Sequence, residues 1–599
     1  MKKHCPKDLE DYSINRISPV SFAPAMQSTR RSFLGRAIAV AAAAGSTFGL
    51  EAEQAVNPKL PSRDAGSNLL DVLRAPDKVV VYSNMNDPIS LARSQTSWRN
   101  NGVEVRTEAG PQEMAVSVSA PVLPIRYIHL RWSLPVPINL QVLGDQWERS
   151  YGDLGWRNII PERVMPWYFA TYDGHSCNGY GVKTGANSLC FWQLDPQGVS
   201  LWLNLSNGGA GVQLGERILT AATIVRRKGK DEEDITNALR SFCHQMSSQP
   251  ALPFQPLYGT NDWYYAYGNN TAKQIIDDTD FIAGLSSGNT IRPFSVIDMG
   301  WAIGSPKFPS MPELASQIRR REVRPGIWIR PLQAPVHANP TLLLSDRRFG
   351  EKKNRATELA YDPTIPEAQE KILEKVTQVI DWNFELVKHD FSTYDLLGRW
   401  GFEMGAEPTT PGWSLHDRSR TNAEVILDLY QRIRERCGKD TLIAGCNTIG
   451  HLAQGYFNAQ RTGDDTSGRV WERTRRMGVN TLAFRLPQHQ AFFIQDADCV
   501  GISPAIPWEL NRQWLDLLAQ SGTSLFISPG EGSRTPEHAR AIKEAFQLAA
   551  SGGGAATPAD LLQESTPQKW TAHRGSGSPS NHGLEYDWST GTGASPFMV

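Results

Sequence analysis

Two rhythms of apolar and polar residues divide the chain. From about Asp77 to Arg227 the period is two. Ile125-Arg126-Tyr127-Ile128-His129-Leu130-Arg131-Trp132 alternates, and so do Gly102-Val103-Glu104-Val105-Arg106 and Gly198-Val199-Ser200-Leu201-Trp202-Leu203. Alternation turns the apolar side chains of a strand to one face. Repeated short strands with Gly, Pro and Asn turns predict an antiparallel β-sandwich over 65–230. A helix from Asp231 to Met246, with acidic residues in its first turn, and the junction Ser247-Ser248-Gln249-Pro250-Ala251-Leu252-Pro253 account for 231–256.

After the junction come eight apolar runs: 257–265, 294–301, 325–331, 384–391, 441–447, 456–462, 480–486 and 523–529. Helix-like segments such as Pro366 to Trp382 and Asn422 to Cys437 lie between most of them. This order predicts a (β/α)8 TIM barrel over 257–550. The Gly/Ser/Pro-rich segment 551–599 is a short C-terminal tail that has room for a few strands but not for a second large sandwich.

Residues 1–55 read as an address. Thr29-Arg30-Arg31-Ser32-Phe33-Leu34-Gly35 resembles the twin-arginine export signal, and the apolar stretch Ala37 to Leu50 follows it. That stretch is too short for a bilayer core of ~30 Å, which takes about 20 helical residues. It suits a signal h-region, with cleavage near Ala52 or Ala55 and Met26 as a second possible start. The expected location is therefore the periplasm or outside the cell, without stable membrane insertion after cleavage. The alternative is a basic-apolar anchor that stays attached.

Composition removes several classes of function. The 599 residues carry 61 Lys+Arg against 62 Asp+Glu, which leaves no basic footprint for nucleic acid. Seven Cys are too few and odd in number for a disulfide framework. No CxxC pair, HExxH or DxDxDG loop occurs, so no metal and no cofactor is expected. Gly179-Tyr180-Gly181-Val182-Lys183-Thr184-Gly185 misses the dinucleotide spacing by one residue. The 18 Trp fit either sugar stacking or core packing.

Carboxylates at predicted strand ends remain. Barrel active sites lie where the strands run out at their C-terminal ends. There the sequence places Asp298 in Ile297-Asp298-Met299-Gly300-Trp301, Asp390 in Lys388-His389-Asp390, and Asp464 and Asp465 in Arg461-Thr462-Gly463-Asp464-Asp465. Strands four and six are near neighbours on an eight-strand ring, and paired carboxylates across a barrel mouth are what glycoside hydrolysis requires. Lys388, two residues before Asp390, shares its strand face and keeps it ionised.

These segments also resemble a known group, the clan D glycoside hydrolases of the melibiase/α-galactosidase superfamily, families 27 and 36. Lys388-His389-Asp390 is similar to their Lys-aromatic-Asp nucleophile motif, and Arg461 to Asp465 to their Arg-x-x-x-Asp acid/base segment. Asp298 to Trp301 resembles the Asp-Asp-Gly-Trp strand, Tyr361 to Glu367 the Leu-Asp-x-x-x-Pro-Glu turn, and Gln495 to Asp498 the Asn-Asp-Pro-Asp stretch of strand seven. The resemblance implies a retaining α-glycosidase acting on α-galactoside-like carbohydrate. Asp390 would be the nucleophile and Asp465 the acid/base, with Asp464 as the alternative. Arg461, Lys388 and Asp298 would bind sugar hydroxyls, and Trp263, Trp301 and Cys446 would line the site.

The departures are Met299 in place of the second Asp of strand two, Arg330 in place of a Glu on strand three, and a shortened C-terminal β-domain. Arg330 or Gln333 could supply the sugar hydrogen bond that Met299 cannot accept. A catalytically silent glycan-binding barrel and a transglycosylase of the raffinose-synthase kind are the competing expectations.

Overall fold

The computed structural model describes residues 69–247, 249–302, 304–351, 358–530, 532–572 and 582–589. The export-signal segment, including Thr29 to Gly35, lies outside the described residues.

The period-two segments form two antiparallel sheets. One runs in the order 88–90, 78–82, 127–133, 198–204, 189–195 and 165–166, and the other has eight strands. Glu113–Ala120 is buried at every second position, the mark of one face in the core and one outside. Phe169 of the eight-stranded sheet packs edge-on against Trp192 of the other at 5.6 Å, which joins the two layers into a sandwich. Among the described residues eight Trp are fully buried, Trp132, Trp167 and Trp192 included, so core packing accounts for much of the Trp content.

The helix after the sandwich starts later than expected, at Ile235–Met246. Its first turn carries no acidic residue. Asp234 instead caps it, accepting the Asn237 N–H at 2.9 Å, because a short carboxylate satisfies an orphan donor best from just outside the helix. This helix presses on the Gly-rich strand Cys177–Val182. A Cβ at Gly179 would lie 2.4 Å from the Phe242 ring, so close packing rather than a nucleotide explains that glycine.

The barrel strands are Tyr258–Asn261, Phe294–Ile297, Arg324–Ile329, Leu386–His389, Leu442–Gly445, Ala459–Arg461, Ile494–Asp496 and Leu525–Pro529, all parallel. Strand seven continues as Val500–Ile502, which pairs with strand eight, and the Ser524 N–H reaches Gln495 O at 3.0 Å. The molecule is thus an antiparallel sandwich followed by a (β/α)8 barrel. Helices Pro366–Asp381 and Asn422–Cys437, which follow strands three and four, pack against each other, the first opened by Pro at its N-terminus and the second by a Thr421/Glu424 capping box.

One expected strand is a helix. The run 480–486 lies inside a helical stretch from Trp471 to Gln488, and strand seven falls at 494–502 instead. A short apolar run cannot tell a buried strand from a buried helix by period alone, and Leu482, Ala483 and Arg485 are good helix formers. The C-terminal segment adds three short antiparallel strands, Thr557–Pro558, Lys569–Ala572 and His582–Glu585. Trp588 anchors it, accepting the Trp471 Nε1–H on its carbonyl at 3.0 Å. Among the described residues, no helix is long and apolar enough to cross a membrane.

Candidate active site

The C-terminal ends of strands two, four, five and six bring Asp298, Lys388, Asp390, Cys446, Arg461 and Asp465 into one electrostatic cluster. Lys388 is their common neighbour. Its Nζ lies 2.6 Å from Asp298 Oδ2, which also accepts the Asn261 amide at 2.6 Å. Burial by itself would lower the Lys388 pKa, but the Asp298 carboxylate, and more weakly Asp390, outweigh burial and hold it well above the usual lysine value. His389 faces the other way, buried between Tyr430 and Phe457, and burial lowers its pKa to about 3, so the ring is neutral.

Asp390 is buried and wrapped by neutral donors. Oδ2 accepts the Trp328 indole N–H at 2.8 Å, while Oδ1 accepts the Asn447 amide at 2.6 Å and the Phe391 backbone N–H at 2.7 Å. Oδ2 therefore keeps a lone pair free for chemistry. The backbone around it is strained: Phe391 sits at φ 70°, and Asn447 and Asp498, at the tops of strands five and seven, at φ 47° and 79°. Left-handed backbone at a bulky residue such as Phe persists only where surrounding structure enforces it, and such strain gathers at functional sites.

Asp465 has a different setting. Arg461 Nη2 and Arg149 Nη1 both bond its Oδ1, at 3.1 and 3.2 Å. Its side chain is 40% exposed. Burial of the site would raise its pKa, but Arg461 and Arg149, backed by Lys388 and Arg473, overcome that and hold it below the ordinary carboxylate value. Asp464 is committed on both oxygens, Oδ1 to Arg149 at 3.1 Å and Oδ2 to Arg473 at 2.9 Å. Of the two, Asp465 is the one with an oxygen to offer.

The other expected residues are placed as follows. Arg461 is buried and also pairs with Asp498 Oδ2 at 2.9 Å, which ties strand six to strand seven. Cys446 is buried, and burial followed by the Asp390 charge pushes its thiol well above the ordinary value, so it is a neutral lining group. Trp263 follows strand one, half-buried, with Tyr267 at 5.6 Å. Trp301 spends its indole N–H on Trp328 O at 2.9 Å and packs edge-on against Trp382. Met299 is half-buried beside Asp298, whose Oδ1 accepts the Met299 N–H at 2.7 Å. Arg330 pairs with Asp395 and Glu358 and lies over the Phe391 ring at 4.6 Å. It is bound into that network instead of standing free for a sugar, and Gln333 is exposed.

Trp328, Asn447 and Arg149 were not among the expected site residues. The first two stand beside residues already named, Trp328 two positions before Arg330 and Asn447 directly after Cys446. Arg149 comes from the sandwich, more than three hundred positions earlier than Asp465, and carries no sequence signal at all.

No family model and no curated protein sequence matches this chain. Solved structures do match it by fold. An α-galactosidase from Thermus thermophilus, in complex with p-nitrophenyl α-D-galactopyranoside, superposes with a TM-score of 0.53 at 16% identity, over 81% of this chain and 97% of that one. A family 36 α-galactosidase from Geobacillus stearothermophilus gives 0.54 at 13%, over 79% and 71%. One from Lactobacillus brevis gives 0.52 at 11%, over 86% and 74%. The chain therefore shares the fold of these α-galactosidase structures.

Proposed function

We propose that this chain is a retaining glycosidase that cleaves α-galactoside-like substrates by double displacement. Asp390 Oδ2 attacks the anomeric carbon as the bond to the departing oxygen breaks, and Asp465 gives that oxygen its proton. Water then releases the sugar from Asp390 and returns a proton to Asp465. The observation that supports this most is the contrast between two carboxylates at the ends of strands four and six, with strand five between them. One is held by donors on both oxygens, and the other has an oxygen that accepts no hydrogen bond among the described residues. The leader resembling a twin-arginine signal supports action in the periplasm or outside the cell.

Met299 bears on the glycone. Without a carboxylate at this position, a buried sugar hydroxyl forgoes about 1.5–3 kcal/mol of discrimination. With Arg330 held by Asp395 and Glu358, that guanidinium is committed to carboxylates and not to a sugar hydroxyl in place of the missing contact, which favours a sugar altered at C4 or C6. Purified protein incubated with nitrophenyl α-galactoside, its 6-deoxy analogue and β-L-arabinopyranoside, with proton NMR of the first-formed anomer, tests both parts. Retained configuration is expected, with the two carboxyls roughly 5–5.5 Å apart. An inverted first product rules out the mechanism, and strict preference for α-galactose, unimproved by Met299→Asp, rules out the glycone. Transfer to a second sugar in place of water would mark the transglycosylase, and no turnover of any glycoside the silent barrel.

A further inference from the structure

The sandwich enters the barrel mouth by one segment, Asp145–Tyr151. Its backbone runs parallel to the end of strand six: Ser150 N donates to Thr462 O at 2.8 Å, and Asp464 N donates to Ser150 O at 2.8 Å. The buried Arg485 fastens it there, pairing with Asp145 Oδ1 at 2.7 Å and donating to the carbonyls of Gln146, Glu148 and Thr462. Ser150 Oγ meets Thr481 Oγ1 at 2.7 Å. With the register set in this way, the Arg149 side chain, only 6% exposed, lies against Asp464 and Asp465 together.

A buried guanidinium needs paired carboxylates, and Asp464 alone would serve a structural ion pair. The second contact has a chemical consequence. Arg149 and Arg461 converge on the same oxygen of Asp465, Oδ1, and among the described residues no hydrogen bond is formed by Oδ2. Resting on the glycosidase reading above, we propose that Arg149, delivered by the sandwich, is a positioning residue for the acid/base: it pins Oδ1 so that the transferable proton rides on Oδ2. The proton passes from Oδ2 to the departing oxygen as the glycosidic bond breaks, and the carboxylate left behind is held by the two guanidiniums until water returns a proton to it.

The charged and titratable groups facing Asp465 are Arg149 from the sandwich, Arg461 and Asp464 from strand six, Lys388 from strand four, Arg473 from the following helix, and Tyr264 after strand one. Asp498 acts on it through Arg461. Removing one cation from this set raises the pH at which Asp465 titrates.

The test compares Arg149→Met, Arg149→Lys and Asp465→Ala on two glycosides of the same sugar, one with a 2,4-dinitrophenyl and one with an alkyl leaving group. Asp465 itself is followed by carbon NMR of labelled Asp, its signal assigned by its loss in Asp465→Asn. For Arg149→Met, kcat/KM is expected to fall roughly 10–100-fold on the alkyl glycoside, part of the 10²–10⁴ of general acid catalysis, and only a few-fold on the dinitrophenyl one. Its Asp465 signal should titrate at higher pH than in the wild type. Arg149→Lys, which keeps the charge without the fork, should keep the low titration and recover part of the rate, and it carries the test if the Met variant does not fold. Equal losses on both glycosides, or an unmoved titration, overturn the proposal. If Asp465→Ala loses the same factor on both glycosides, Asp465 is not the acid/base, and the glycosidase reading falls together with the role of Arg149. If Asp465→Ala depends on the leaving group and Arg149→Met does not, only the role of Arg149 falls.

Discussion

The tops of strands four and six hold similar side chains in opposite ways. At strand four, Asp390 is buried among neutral donors that all belong to the barrel: an indole, an amide and its own next backbone N–H. At strand six, Asp465 is partly open and anchored by charge, and one of the two guanidiniums that bond it comes from the sandwich. A nucleophile gains from a fixed direction of attack, which short neutral hydrogen bonds provide without neutralising it. A proton carrier needs one oxygen open and a negative charge that is tolerated between transfers. Strand four is self-contained, whereas strand six depends on a second domain.

The largest expected effect tests the self-contained half. Asp390→Ala removes the attacking group and should abolish turnover on every substrate while the melting curve stays that of the wild type; more than a few per cent residual activity on all substrates would undo the assignment. Next, Asp465→Ala should cost roughly 10²–10⁴-fold in kcat/KM with alkyl leaving groups and far less with dinitrophenyl, because a good leaving group needs no proton. A flat dependence would make the two carboxylates alike.

Arg485→Met probes the dependence on the sandwich. It leaves Asp145 buried without its cation, a loss of about 3–5 kcal/mol, read as a lowered urea midpoint. In variants that still fold, activity on alkyl glycosides should suffer more than on dinitrophenyl ones. Equal suffering would mean that the segment holds the fold and not the proton carrier. A smaller effect is expected from Asn447→Ala, which removes one hydrogen bond to a charged oxygen and so about 1.5–3 kcal/mol, or ten- to a hundredfold in kcat/KM irrespective of leaving group. No change would show that Trp328 and the Phe391 N–H suffice to aim Asp390.

The smallest effect is on stability against pH. Asp262, buried beneath Asp298 and accepting its N–H at 2.6 Å, has its pKa raised to about 8 by burial and by the Asp298 charge. An unfolded Asp titrates at about 4. The folded state therefore holds a proton that the unfolded chain releases, and the contribution, complete below about pH 4, declines as the pH rises through 8. Urea midpoints at pH 5 and pH 9 should differ more in the wild type than in Asp262→Asn, and equal differences would remove Asp262 from the account.

Much of this protein could be read from its residues in order. Period-two alternation marks the sandwich strands because a half-buried strand must alternate. Strand-ending carboxylates mark the barrel mouth because the parallel topology sends every strand end to one side. Helix Asn422–Cys437 was readable to the residue because Thr421 and Gly438 punctuate it. The run 480–486 misled because burial on all sides erases periodicity, and the acidic residues before Ile235 misled because Asp234 caps the helix from outside while Asp231 to Glu233 precede the cap. The commitment of both Asp464 oxygens to arginines, the tying of Arg330 to Asp395, and the arrival of Arg149 beside Asp465 depended on the tertiary structure alone. Each is set by the partner that meets a side chain across the fold, and a guanidinium from position 149 reaches position 465 only because the sandwich packs its loop against strand six.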